Sequence, residues 1–178
     1  MKERAARLSA RPRRDTPYWP VARGGPASHP GELGMSVTSR YREAWESFWR
    51  EAPVERGAVF WDAEPALAVA RHLALFEPHL TDPELPLVDL GCGNGTQTRF
   101  LADRFPRVLG ADLSAAALDL ARGADPAGRA AYRELDAVEK AESQALHAEL
   151  GDANVYMRGV LHQCVASHRQ ALVDGIAT

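Results

Sequence analysis

The run Leu87-Val88-Asp89-Leu90-Gly91-Cys92-Gly93-Asn94-Gly95-Thr96 carries more structural information than any other part of the chain. A short apolar strand passes into three glycines at alternate positions, and a helical pattern follows from Thr96 to Phe105. Glycines in such a turn permit positive φ and leave room for a ligand beside the main chain. The N–H groups that open the next helix lack intrahelical partners and are expected to face that ligand. Asp89, just ahead of the turn, offers a carboxylate to an ammonium group or an ordered water.

Downstream, Arg107 to Ala111 predicts a second strand, and Ser114 caps a helix through Arg122. Ala130 to Leu135 predicts a weak third strand, and Val138 to Leu150 a helix whose charged face, Glu139 to Glu149, reads as solvated. Asn154 to Met157 predicts a fourth strand, and Cys164 to Ile176 a last helix. Strands alternating with helices of about ten residues are the signature of parallel βαβ units. Two more acids stand where strands end. Asp112 follows Gly95 by 17 residues. In a nucleotide-binding βαβ unit that acid grips the ribose hydroxyls. Asp136 ends the third strand, where a carboxylate reaches the exocyclic amine of an adenine.

Upstream, Ser39 to Glu51 predicts a helix with Tyr41, Trp45, Phe48 and Trp49 on one face, ended by Pro53. This aromatic stripe is either core or a lid over an apolar substrate. Trp61 and Asp62 read as a staple plus N-cap. A second helix then carries Leu67 to Phe76 and closes before Pro78. Residues 1–34 hold seven basic and three acidic residues, five prolines and four glycines. Their apolar content is too sparse to offset chain entropy, so a disordered basic segment is expected. It reads as a solvated tail, or as sequence upstream of a true start at Met35, rather than as an arm for nucleic acid or lipid. Residues 35–178 form the expected domain.

The chain has 178 residues, 46% hydrophobic and 25% charged, a balance that suits one globular domain. A net charge of -3 gives no reason to expect a nucleic-acid or acidic-membrane partner. Two cysteines make no disulfide framework, and no Cys/His cluster has metal-ligand spacing. A reduced, cytoplasmic setting is expected. No apolar run approaches the ~18 residues of a membrane span. The Arg-rich start lacks the apolar centre of a secretory signal. Arginine far outnumbers lysine, which suggests a GC-rich bacterial source.

Asp89-x-Gly91-x-Gly93-x-Gly95, followed by Ala111-Asp112-Leu113-Ser114, resembles a class I S-adenosylmethionine-dependent methyltransferase. Val155 to His162 resembles the fourth-strand segment of that family, and the likeness runs from about Pro86 to Leu172. It implies an α/β fold, a Rossmann-like parallel sheet flanked by helices. It also implies methyl transfer from S-adenosylmethionine to oxygen, nitrogen or sulfur of a small-molecule acceptor. Carried over by position, Asp89 and the turn Gly91, Cys92, Gly93, Asn94 and Gly95 hold the amino-acid part of the cofactor. Asp112 holds the ribose, Leu113 packs on adenine, and Asp136 with Ala137 meets the adenine edge. Arg158 lies beside the methionine end. His162, the one histidine near the expected cleft, is either a general base or a plain loop residue. Cys92 reads as a small side chain packed behind the loop rather than a nucleophile.

The competing reading is an NAD(P)-binding oxidoreductase, whose fingerprint is G-x-G-x-x-G. Here the third glycine comes one position early, and an acid precedes the first. An acid there repels a diphosphate but suits a cationic amine and sulfonium. The chain also departs from its own family. The family sheet has strand order 3-2-1-4-5-7-6, and only strands one to four are recognisable. Strand four is then expected at an edge, with unpaired backbone groups. The chain reads as a fragment of a longer frame, with two alternatives. It pairs with another chain, or it is a non-catalytic remnant acting as an interaction module.

Overall fold

A computed structural model describes residues 37–53, 59 and 64–177. The basic segment 1–34, Met35, Trp61 and Asp62 lie outside the described residues. Strands β1 (Leu87–Leu90), β2 (Val108–Asp112), β3 (Ala131–Glu134) and β4 (Asn154–Met157) form one sheet in the order β3-β2-β1-β4. All three pairings are parallel. The helices are α1 (Val37–Glu51), α2 (Pro65–Phe76), α3 (Thr96–Leu101), α4 (Ala115–Gly123), α5 (Lys140–Leu150) and α6 (Ala166–Ile176). This is the Rossmann-like order expected of strands one to four.

Successive side chains of a strand point to opposite faces, so β1 feeds two separate cores. Val88 and Leu90 join Ala111, Leu135, Leu146 of α5 and Leu172 of α6 in one core. Leu87 joins Val69 and Leu73 of α2, Leu101 of α3, and Phe105 in the other. A central parallel strand is covered on both faces, and all four residues of β1 are buried. A third cluster forms where Trp49 of α1 meets Val59 and Ala117 of α4.

Because the strands are parallel, their carboxyl ends share one edge of the sheet. The register sets Leu90 beside Ala111 on one side and Met157 on the other. Ligands of open α/β sheets bind at that edge, where the strand order reverses. Here the reversal lies between β1 and β4.

Several local expectations change. The helix expected from Thr96 to Phe105 stops at Leu101, and Phe105 anchors the turn beyond it by burying its ring. Helix α2 does end at Phe76, before Pro78 as expected, and a 3-10 turn over Glu77–His79 follows it. The charged face from Glu139 to Glu149 is not wholly solvated. Ser143 and Leu146 are buried, and Glu142 Oε2 accepts the Asp136 N–H at 2.8 Å. Among the described residues β4 is an edge strand.

Candidate cofactor site

The glycine turn adopts the backbone its composition predicts. Gly91, Gly93 and Gly95 have φ of 73°, 54° and 71°, a region that other L-residues enter only at a cost. Close packing adds a second reason for glycine at position 93. A Cβ there would stand 2.7 Å from Cζ2 of Trp49.

The amides of this turn are engaged inside the protein. Gly91 and Cys92 donate to the Ala111 carbonyl, and Gly95 donates to Cys92. Gly93 donates to Asp112 Oδ2 at 2.9 Å. Thr96, at the start of α3, donates to Asn94 Oδ1 at 3.2 Å. Of the amides that open α3, that of Thr96 is therefore engaged within the protein rather than facing a ligand. A diphosphate-binding loop needs ligand-facing amides. This loop offers a ligand its shape and its neighbouring carboxylates.

Those carboxylates are buried. Asp89 is 3% exposed and accepts a 2.6 Å hydrogen bond from Thr98 Oγ1. Burial, with a smaller contribution from the Asp112 charge, raises its pKa to about 6 against the Thr98 bond and the Arg158 cation. Asp112 Oδ1 accepts from the Ser114 N–H at 3.0 Å while Oδ2 holds Gly93. Burial raises its pKa too, opposed by backbone N–H groups including those of Ser114 and Gly93. Asp136 Oδ1 accepts from the Val138 N–H at 3.1 Å.

All three acids line one cavity of about 350 Å³ at the carboxyl edge of the sheet, within the range of small-ligand sites. Gly91, Cys92, Gly93, Asn94, Leu113, Ala137, Arg158 and His162 line it as well. Gly95 sits apart from the other turn residues, packed toward Ala121 and Tyr132. Cys92 is buried, and burial drives its thiol pKa well above the ordinary value, with Asp112 and Asp89 adding to the effect. Such burial disfavours the thiolate that a nucleophile needs. His162 is exposed, and its Nε2 lies 2.8 Å from Gln163 Nε2. The Gln163 amide thus occupies the lone pair that a general base would use.

Tyr41, Trp45 and Trp49 of α1 line the cavity, and Trp49 also belongs to a core cluster. Edge-on contacts link Trp45 to Phe48 at 5.7 Å and Phe48 to Trp49 at 5.2 Å. Two polar latches bind α1 to the sheet domain. Glu46 Oε2 accepts from Ser114 Oγ at 2.7 Å and from the Ala116 N–H at 3.1 Å. It thereby joins Ser114, which itself caps α4 through Ala117. Burial opposes the Glu46 charge, but those two bonds and Arg50 outweigh it and lower the pKa. The second latch is Arg42, which pairs with Glu134.

Sequence reasoning passed over several cavity residues. Tyr156 lines the cavity from β4, and its hydroxyl meets His72 Nδ1 at 2.8 Å. Burial, reinforced by Asp89, pushes its pKa up to about 12. Cys164 and Leu172 line the cavity too. No local signal in the sequence marks them. Among the described residues no cluster of His, Cys, Asp and Glu is arranged for a metal ion. Nor is any helix there long and apolar enough to cross a membrane.

The donor set suits a particular ligand chemistry. An ammonium group, a ribose diol and an exocyclic amine all donate hydrogen bonds, and the buried groups here are acceptors. The chemistry therefore fits an adenosyl amino acid better than a dinucleotide, whose diphosphate would meet Asp89.

Comparison with known proteins gives the same answer. The profile of the methyltransferase domain family matches residues 87–178. The chain is 37% identical to a crystallised S-adenosylmethionine-dependent methyltransferase from Anabaena variabilis ATCC 29413, with a TM-score of 0.69. That match covers 80% of this chain and 57% of the other, so this chain spans less than two thirds of that relative's length. Magnesium protoporphyrin IX methyltransferase from Synechocystis PCC 6803, crystallised with its methyl donor, shares the fold at 18% identity and a TM-score of 0.58. The match covers 82% of this chain and 72% of that one. A comparison with curated proteins gave no significant match. With the glycine turn, the strand order and the matched profile in agreement, the chain belongs to the class I S-adenosylmethionine-dependent methyltransferases.

Proposed function

We propose that this protein binds S-adenosylmethionine in the carboxylate-lined cavity and transfers the methyl group to oxygen, nitrogen or sulfur of a small molecule. The observation that carries the proposal is the trio of buried acids around one cavity, beside a glycine turn in which the N–H groups of Gly91, Cys92, Gly93 and Gly95 already have protein acceptors. Asp89 would hold the ammonium group and Arg158 the carboxylate of the amino-acid end. Asp112 would take the ribose hydroxyls through lone pairs left over from Gly93 and Ser114. Leu113, Asp136 and Ala137 would take the adenine. When bound, the cofactor supplies a methyl carbon on a positive sulfur, already activated for in-line displacement.

The chain's own work is then placement and drying. Trp45 and Trp49 close the roof, exclude water and hold the ligand against the turn. A base is needed only where the acceptor must lose a proton. His162 is the candidate, provided that Gln163 releases Nε2. Both cysteines are free, which supports a reducing cytoplasm, and the arginine-rich composition supports a bacterial source. We read residues 35–178 as one cofactor-binding domain and 1–34 as a basic segment outside it.

Calorimetric titration tests the proposal. S-adenosylhomocysteine is expected to bind and NADH to give no heat. Binding of NADH with no response to S-adenosylhomocysteine overturns it.

The proposal also fixes a pH dependence. A cationic amine favours ionised Asp89, whose pKa in the ligand-free protein is about 6. Affinity for S-adenosylhomocysteine should therefore fall by about tenfold per pH unit below that point. Asp112, also raised, acts in the same direction. In the ligand-free protein the sign reverses. Folded Asp89 holds its proton more tightly than the unfolded chain does. Its contribution to stability is thus complete below its ordinary pKa of 3.8 and is lost as pH rises through about 6. Asp89→Asn should flatten both curves. Titrations at pH 5 and 7.5 check the first, and chemical denaturation across pH 4 to 7 checks the second.

A further inference from the structure

Arg42 reaches from α1 to the end of the cavity formed by the turns after β2 and β3. It pairs with Glu134 of β3 and lies 3.6 Å from Asp136 Oδ2 and 4.0 Å from Glu142 Oε1 of α5. It also donates to the Leu113 carbonyl at 3.4 Å. Leu113 and Asp136 both line the cavity. The Asp136 side chain is only 6% exposed. Val138 fixes its Oδ1, Glu142 fixes its backbone N–H, and Arg42 faces its Oδ2. One guanidinium thus stands among three carboxylates. Without it their repulsion is uncompensated, and the side chain of Asp136 has no tether on Oδ2.

We propose that Arg42 is a positioning residue that sets nucleobase selectivity, holding Asp136 as the acceptor for an exocyclic amine. The site then takes an aminopurine nucleoside and rejects the oxopurine, whose exocyclic carbonyl oxygen would face the carboxylate. This rests on the methyl-donor reading and extends it to a residue outside the glycine turn and the strand ends.

The probes are S-adenosylhomocysteine and its deaminated analogue, S-inosylhomocysteine, titrated calorimetrically. The native protein should prefer the first by about tenfold or more, the effect of one good hydrogen bond. Arg42→Ala should bring the two affinities within about threefold of each other, and Arg42→Lys should restore part of the preference. Glu46→Ala removes the other latch of α1 without touching Asp136, so it should leave the preference intact. The inference is overturned if Arg42→Ala weakens both ligands equally. It is also overturned if Glu46→Ala erases the preference as fully as Arg42→Ala does, since either result reduces Arg42 to a helix anchor. Equal binding of both probes by the native protein overturns it while leaving the methyl-donor reading in place. Failure of the native protein to bind either probe sinks that reading itself.

Discussion

Gly93→Ala should destabilise the protein by about 2–5 kcal/mol, the sum of a left-handed backbone cost and the cost of overpacking. The backbone part stems from φ of 54°. The packing part stems from the indole of Trp49, which a Cβ would meet at 2.7 and 3.0 Å. That ring has little freedom to retreat. Trp49 is 5% exposed, packs with Val59 and Ala117, and stands edge-on to Phe48. Gly128 supplies the control, with φ of 60° and nothing within 4 Å of where a Cβ would stand. Gly128→Ala should therefore cost only about 1–2 kcal/mol. Urea denaturation of the two variants separates the terms. Equal losses would mean that Trp49 does not press on the turn.

Asp112→Ala should cost a similar amount for a different reason, and it should remove ligand binding as well. The carboxylate is 8% exposed and accepts the N–H groups of Gly93 and Ser114. Deleting it leaves two buried donors without acceptors, at about 1–3 kcal/mol each. The raised pKa shows that burying this charge is itself costly, so relief of that cost offsets part of the loss. Asp112→Asn keeps one acceptor oxygen and turns an amide donor toward the other N–H. It should fall between the native protein and the alanine variant. Thermal melts measure the structural loss. Titration with S-adenosylhomocysteine, run well below the melting point, measures the rest. A variant that melts like the native protein yet binds weakly would assign Asp112 to the ligand alone.

The sheet was legible because its signals are local. Asn154–Met157 is predicted to the residue, and Ser114 caps α4 as its chemistry demands. Glycines at 91, 93 and 95 do take positive φ. The features that depend on distant partners could not be read. Nothing near Glu46 in sequence says that it meets Ser114, 68 residues away. Nothing near Arg42 points to Glu134, 92 residues away. Nothing in the sequence marks the acceptors of the glycine-turn amides, because they belong to β2 and to the turn's own fold. Glu142 looked solvated on charge alone, since only the assembled turn after β3 presents it with the Asp136 N–H.

The contact between the Trp49 ring and Gly93 ties two distant codons together. Bulk gained at one site is tolerable only after volume is surrendered at the other, so the order in which substitutions arrive matters. Divergence at these positions must pass through paired changes, with the smaller aromatic or aliphatic replacement first. Helix α1 is therefore constrained at position 49 by the loop beneath it.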